Sequence, residues 1–313
     1  MASRLRKKAA RPRRDEGRSK PRAKPAIRDR LAERGEAGLA AISRARRSVA
    51  GKKPAPVVGH LSLLRSPTVP MAQGEMGSRI RVATYNVHRW GGLNGRRSPG
   101  GAGAAQVISE LDADVVALQE VLRPLKGEDP LEGLAEELGF YLAFAVTRQH
   151  RRGQLGNAVL SRFPIEGLSV LDISHSRIER RGALCAQFAA GDSGVRLSVI
   201  ATHLSLVDRT RHRQVQSLLE HPQLVSGAAV LLGDMNAWRR CKASRELDET
   251  LERHHNRAWP ASFPAPRPVL ALDRVYARGA TVSEVKAHKT PAARRASDHL
   301  PVVAQVSLKS PRA

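Results

Sequence analysis

The chain is poor in residues that cross-link a fold or anchor it to lipid. Of its 313 residues only 2 are cysteine. Cys185 and Cys241 lie far apart, form no metal-ligand spacing and no disulfide framework, and suit a reducing compartment. Aromatic residues make up 4%, and Trp90, Trp238 and Trp259 do not cluster, so no evident apolar loop is available for a lipid surface. No apolar run approaches the roughly 18 to 20 residues of a membrane span, and no apolar stretch follows the basic start as a secretory signal requires. Nor is there an internal repeat of about 20 to 50 residues. These absences lead us to expect a soluble cytoplasmic monomer without a transmembrane segment or an inferred protein partner. Acidic residues are the last shortage: 29 Asp and Glu face 53 Lys and Arg, a formal net charge of +24. Such an excess suits polyanionic partners, nucleic acid or an anionic membrane surface.

The excess is uneven. Residues 1–78 hold 20 Lys and Arg against 6 Asp and Glu and no aromatic residue, leaving 33 against 23 for residues 79–313. Low hydrophobicity with high net charge predicts a basic, disordered N-terminal extension over 1–78, in which Ala26 to Val49 could form a fluctuating helix. Three readings of it stand: a nucleic-acid arm, a solvated extension without a role, or a chain whose translation starts at Met71 or Met76. From Arg79 the pattern becomes that of a compact α/β domain, assigned to 79–313.

That domain is organised around Val230-Leu231-Leu232-Gly233-Asp234-Met235-Asn236-Ala237-Trp238, an apolar run that stops at a glycine. A short run of this kind predicts a strand covered on both faces. Alternation continued past its end would put Asp234 and Asn236 on one side, about 7 Å apart, a carboxylate and a neutral donor able to activate a water and hold an oxyanion. Gly233-Asp234-Met235-Asn236 also suits a plain turn. Ile80 to Val87 alternates like a strand, followed by a glycine-rich loop over Trp90 to Gly103. Further strands are expected at 114–120, 141–146, 157–160, 183–188, 195–204, 270–276 and 300–308, with helices at 104–111, 131–138 and 209–219.

Strand after strand is expected to end in a polar residue: Asn86, Glu120, Asn157, His203, Asp234 with Asn236, Asp273, and Asp298 with His299. Singly each has an ordinary explanation as a cap, a solvated strand end or a satisfied core histidine. Buried together they would be costly without partners, whereas gathered at one rim they supply oxygen ligands of the kind Mg²⁺ or Mn²⁺ prefers, two imidazoles and amide donors.

Seven segments, in order, resemble the endonuclease/exonuclease/phosphatase superfamily, which includes deoxyribonuclease I, apurinic/apyrimidinic endonucleases and neutral sphingomyelinases. They are Ala83-Thr84-Tyr85-Asn86-Val87-His88, Ala117-Leu118-Gln119-Glu120-Val121, Gly156 to Pro164, Ala201-Thr202-His203-Leu204, Leu232 to Asn236, Ala271-Leu272-Asp273-Arg274-Val275, and Ser297 to Val303. The resemblance covers roughly residues 80–308 and is greatest to the compact bacterial metal-dependent hydrolase branch. It implies an α/β fold, a four-layer sandwich of two packed mixed β-sheets flanked by helices, and phosphoric ester hydrolysis with Mg²⁺ or Mn²⁺.

Carried over position by position, the resemblance makes Glu120 the principal metal ligand, with Asn86 beside it and Asp298 near a second ion position. Asp234 matches the residue that activates water and Asn236 the donor that steadies nucleophile or phosphate. His299 matches the histidine at phosphorus, held by Asp273, and His203 the second histidine. Asn157 and Arg181 are placed on the substrate phosphate. Whether Asp234 or His299 is the base stays open. Basic runs at Arg148, Arg151 and Arg152, at Arg209, Arg211 and Arg213, and at Arg294 and Arg295 favour DNA as partner and substrate. The alternatives are a phospholipid or sphingomyelin phosphodiesterase of the same fold and a non-catalytic nucleic-acid-binding protein.

Overall fold

Two runs of the sequence are apolar on both faces, and each becomes an interior strand of a sheet. A computed structural model describes residues 60–72, 75–94, 101–176, 178–190, 195–254 and 258–309. In chain order the first half comprises β1 (His60–Arg65), β2 (Arg79–Asn86), α1 (Ala102–Glu110), β3 (Val115–Pro124), α2 (Pro130–Glu137), β4 (Tyr141–His150) and β5 (Gly153–Ser161). There follow β6 (Gly167–Asp172), β7 (Gly182–Ala190), β8 (Val195–His203), α3 (Asp208–Leu219), α4 (Pro222–Val225) and β9 (Ala228–Asp234). The last part holds α5 (Lys242–Thr250), β10 (Asp273–Arg278), β11 (Ala280–Ala287), α6 (Ala293–Ala296) and β12 (Val302–Leu308).

The strands form a seven-stranded sheet in the order β1-β4-β5-β3-β2-β12-β11 and a five-stranded sheet in the order β10-β9-β8-β7-β6. Val82, Val115 and Val159 of the first sheet pack with Leu184, Val199 and Val230 of the second to fill the space between them. On the outer face of the first sheet, Val107 and Ile108 of α1 and Leu131 and Leu134 of α2 join Leu118 and Phe144. On the outer face of the second, Val215 and Leu218 of α3 and Leu247 of α5 meet Ile200 and Leu231. Helix, sheet, sheet and helix make the expected four layers. Strand β9 is buried along its whole length, which is why its residues read as a continuous apolar run instead of an alternation.

The fold begins upstream of Arg79. Strand β1 pairs antiparallel with β4, from His60 opposite Val146 to Arg65 opposite Leu142, and Met76 is fully buried and bridges to Ala190. Leu63 alone of the β1 leucines is buried, so this edge strand carries little apolar signal and was masked by the basic residues before it. Among the described residues the fold therefore starts at His60, ahead of Arg79. The helix expected over 26–49 lies outside the described residues, as do residues 95–100 of the glycine-rich loop.

Candidate active site

Each sheet contains one parallel pair, β2 with β3 and β8 with β9. The crossovers carry α1 in the first case and α3 and α4 in the second. In α/β folds ligands gather beyond the carboxyl ends of such parallel strands. Strand β2 ends there on Asn86, β8 on His203 and β9 on Asp234. The register sets His203 and Asp273 on either side of Asp234, so three neighbouring strands present the three side chains in one row. Gly233 allows the approach: a Cβ there would lie 1.9 Å from the Thr202 carbonyl oxygen, at φ +154°. From the facing sheet Asn86 donates its Nδ2 to Asp234 Oδ2 at 3.1 Å.

The row is buried and internally bonded. His299 donates Nδ1–H to Asp273 Oδ2 at 2.8 Å, and Ser262 Oγ donates to the same oxygen at 2.6 Å. His299 Nε2 faces Asp234 Oδ2 at 3.7 Å, and His203 Nε2 lies 3.4 Å from that oxygen. Burial is the largest influence on Asp234; His299 opposes it, Asp273 adds to it, and the carboxyl is pushed up to about 6. Burial also works against a charged His299, but Asp273, Asp234 and Asp298 outweigh it and raise the imidazole to about 10. His203 goes the other way, held well below its ordinary value by burial and then by the positive charges of Arg181, His299 and Arg148. Near neutrality the row therefore holds an ionised Asp234, a protonated His299 and a neutral His203.

Glu120 sits within β3, not at its end. The β3–β5 register shifts between Leu118 and Val121, and Glu120 adopts a positive φ of 52°. Such bulges bend a strand and re-aim a side chain beside active sites. Strand β4 bulges against β5 at the same level, between Val146 and Arg148. Gly156 lies under both; a Cβ there would meet Ala145 O at 2.0 Å. Glu120 Oε2 lies 3.5 Å from Arg89 Nε, and Asp298 Oδ1 lies 3.3 Å from His88 Nδ1. Burial raises the Asp298 carboxyl; His299 and His88 oppose this, and Glu120 raises it further.

Glu120 acts on Asp298 as a like charge, and with the Asn86 carboxamide oxygen the two carboxylates suit a hard divalent cation, which would relieve that repulsion and take oxygen donors. Asp234, Asp273 and His299 also lie close enough together to hold an ion. Glu120, Asp298 and Asn86 are the better donors, since a protonated His299 bonded through Nδ1 to Asp273 has no lone pair to give.

Two side chains are placed otherwise than the strand pattern suggested. Asn236 does not continue the alternation: β9 ends at Asp234, Asn236 has φ 49°, its backbone N donates to Asp234 Oδ1 at 2.9 Å, and its Nδ2 donates to Leu204 O at 2.9 Å. Asn157 lies inside β5, and its Nδ2 is committed to Gly182 O at 2.9 Å. The basic runs also divide. Arg211 is fully buried, paired with Asp208, with its guanidinium 5.3 Å above the Trp238 ring; it braces α3 and cannot face a ligand. Arg148, Arg151, Arg209, Arg213 and Arg295 are exposed. Arg181 sends Nη2 to Glu179 Oε1 at 2.9 Å.

Four further residues complete the site. Ser262 supports Asp273, and Ser297 Oγ donates to Asn86 O at 2.6 Å. His88 and Arg89 reach Asp298 and Glu120 from a turn in which His88, Arg89 and Trp90 all have positive φ. Ser297 and His88 belong to the segments that resemble the superfamily, but nothing local in the sequence marks Ser262 or Arg89.

The model of the Endonuclease/Exonuclease/phosphatase family matches residues 83–299. The chain is 34% identical over 249 residues to the uncharacterized protein YbhP of Escherichia coli strain K12, covering 73% of this chain and 96% of that one. It is similar to the crystal structure of an endonuclease/exonuclease/phosphatase from Beutenbergia cavernae DSM 12333, at 25% identity and TM-score 0.59, over 75% of this chain and 73% of that one. The human Nocturnin catalytic domain with bound sulfate shares the fold at 19% identity and TM-score 0.57, over 75% of this chain and 96% of the other.

Proposed function

The chain belongs to the endonuclease/exonuclease/phosphatase family, and on that premise we propose that it hydrolyses DNA phosphodiester bonds with the help of Mg²⁺ or Mn²⁺. The observation that carries the reading is the row Asp273–His299–Asp234, in which one carboxylate holds an imidazolium and the other faces it ionised. Glu120, Asp298 and Asn86 would hold the cation, which neutralises charge on the phosphate oxygens when bound. Asp234 is the base: its pKa near 6 leaves it ionised at neutral pH, yet basic enough to take a proton from water. His299 keeps its proton and presents positive charge where the pentacovalent phosphorus gains negative charge. Asn86 and the backbone N of Asn236 hold the two oxygens of Asp234 in place.

Arginines favour a polyanion. Arg89, Arg148 and Arg181 share the surroundings of Glu120. Among the described residues Arg148 and Arg151 form no ion pair, so their charge is available to phosphate. No described helix is long and apolar enough to cross a membrane. The test is a substrate panel with Mg²⁺ or Mn²⁺: supercoiled DNA, a duplex with an abasic site, single-stranded RNA, sphingomyelin and an aryl phosphodiester. Cleavage of DNA well above the others supports the proposal; preferential release of phosphocholine from sphingomyelin, or no turnover of any ester, defeats it.

A further inference from the structure

Arg181 is held far more tightly than a residue preceding a strand requires. Its N donates to Ser174 Oγ at 3.0 Å, and its O accepts from Ile173 N at 3.1 Å and from Ser174 Oγ at 3.1 Å. The next carbonyl, Gly182 O, is the one that Asn157 grips. Backbone placement alone does not fix a long arginine side chain, and here the guanidinium has a tether of its own. Nη2 donates to Glu179 Oε1, while Glu179 Oε2 accepts the Ser205 hydroxyl. Ser205 lies two residues beyond His203 and is itself fully buried. Its N donates to Gln214 Oε1 at 2.7 Å, and its O accepts from Arg211 Nη1 at 2.8 Å. The buried Arg211 is thus the post to which Ser205, Glu179 and Arg181 are tied in sequence.

We propose that Glu179 is a positioning residue of the phosphate site, holding the Arg181 guanidinium just beyond the end of β8 through its shared bonds to Arg181 and Ser205. The proposal rests on the reading that this site receives a phosphoric ester. A carboxylate next to a phosphate-binding arginine weakens its positive field, so it needs a reason to be there. Fixed direction is that reason: an arginine ordered before the ligand arrives loses little freedom on binding, and misplacement by about 1 Å costs up to about 100-fold. Glu179 occupies only one of the five N–H donors of Arg181. Glu179 touches no reacting atom, and its influence passes wholly through Arg181.

The experiment compares wild type, Glu179→Ala, Glu179→Gln, Ser205→Ala, Arg181→Ala, Glu179→Ala/Arg181→Ala and Ser205→Ala/Arg181→Ala in the full chain. For each, kcat and KM are measured on bis(4-nitrophenyl) phosphate with Mg²⁺, inorganic phosphate affinity by calorimetry, and the melting temperature. Glu179→Ala and Arg181→Ala should each weaken phosphate binding and lower kcat/KM by about 10- to 100-fold. The double variant should be no worse than Arg181→Ala alone, since Glu179 then has nothing to hold. Glu179→Gln keeps an acceptor oxygen for Arg181 and should recover most of the loss. A Glu179→Ala effect as large in the Arg181→Ala background as in wild type overturns the proposal, as does unchanged phosphate affinity in folded Glu179→Ala. Should Glu179→Ala fail to fold, Glu179→Gln and Ser205→Ala decide: Ser205→Ala must weaken phosphate binding only when Arg181 is present. A wild type that binds phosphate with this pattern yet turns over no ester would sink the hydrolase reading and leave the positioning role standing. An active wild type with additive variants sinks the positioning role alone.

Discussion

Asp273 and His299 are joined by a 2.8 Å bond from Nδ1–H to Oδ2, and that bond keeps the imidazole charged although it is buried. Phe263 packs on its ring at a centroid distance of 4.9 Å, which leaves Nε2 directed to Asp234. One carboxylate thus decides the protonation state of the histidine that faces the other.

The pH dependence follows. Asp234 must be ionised to accept a proton, so activity is lost as pH falls through about 6. His299 must be protonated to stabilise charge, so activity is lost as pH rises through about 10. A bell between these limits is expected in kcat/KM. Asp273→Asn removes the chief support of the His299 proton and should move the alkaline limb to lower pH. A profile whose alkaline limb does not move in that variant would show that Asp273 does not govern His299.

Asp234→Asn and His299→Ala should each lower kcat by on the order of 100-fold or more, the scale of a lost proton transfer or a lost transition-state charge. The double variant should lose less than the product, because both groups act on one event. Steady-state rates on an aryl phosphodiester, with circular dichroism as a folding control, check this. Near wild-type rates in both folded single variants would place the active site elsewhere.

Metal dependence should run through Glu120. EDTA should abolish hydrolysis, and Mg²⁺ or Mn²⁺ should restore it. Glu120→Ala should need more metal for half-maximal rate and turn over more slowly even when saturated, because the ion both orients phosphate and neutralises charge. Undiminished hydrolysis by Glu120→Ala in EDTA would falsify the assignment.

The basic N-terminal residues should add affinity without chemistry. A chain beginning at Pro56 keeps β1 and Met76, which one beginning at Gly77 would lose, and should hydrolyse a small aryl phosphodiester at the full-length rate. On duplex DNA each phosphate neutralised steepens the log K against log salt slope by roughly 0.9, so loss of about four such contacts should flatten it by about 3 to 4. Identical slopes for the two chains in a salt titration would make residues 1–55 bystanders in binding.

Periodicity is a local property, and it is what the sequence by itself determined. The alternation of Ile80 to Val87, the continuous apolar run of β9 and the helical spacing of α1, α2 and α3 all became the expected elements, since each buries its own face. β1, β6 and β11 are not legible in this way, because they are edge strands whose mostly half-covered or exposed side chains leave a weak pattern, nor is α5, polar on most of its surface. The site residue types could be read from the segments that hold them. Their assembly could not. His203, Asp234 and Asp273 stand in a row because β8, β9 and β10 pair in one register, and Asn86 meets Asp234 across 148 positions of sequence only because the two sheets face each other. Tertiary structure also decided the opposite fates of similar residues. Arg211 is buried as a brace while its neighbours Arg209 and Arg213 stay in water. Asn236 turns back to Leu204 because a positive φ ends the alternation that the strand had begun. Pairing register, strand bulges and the depth of burial arise from contacts between distant segments, so no window of sequence contains them.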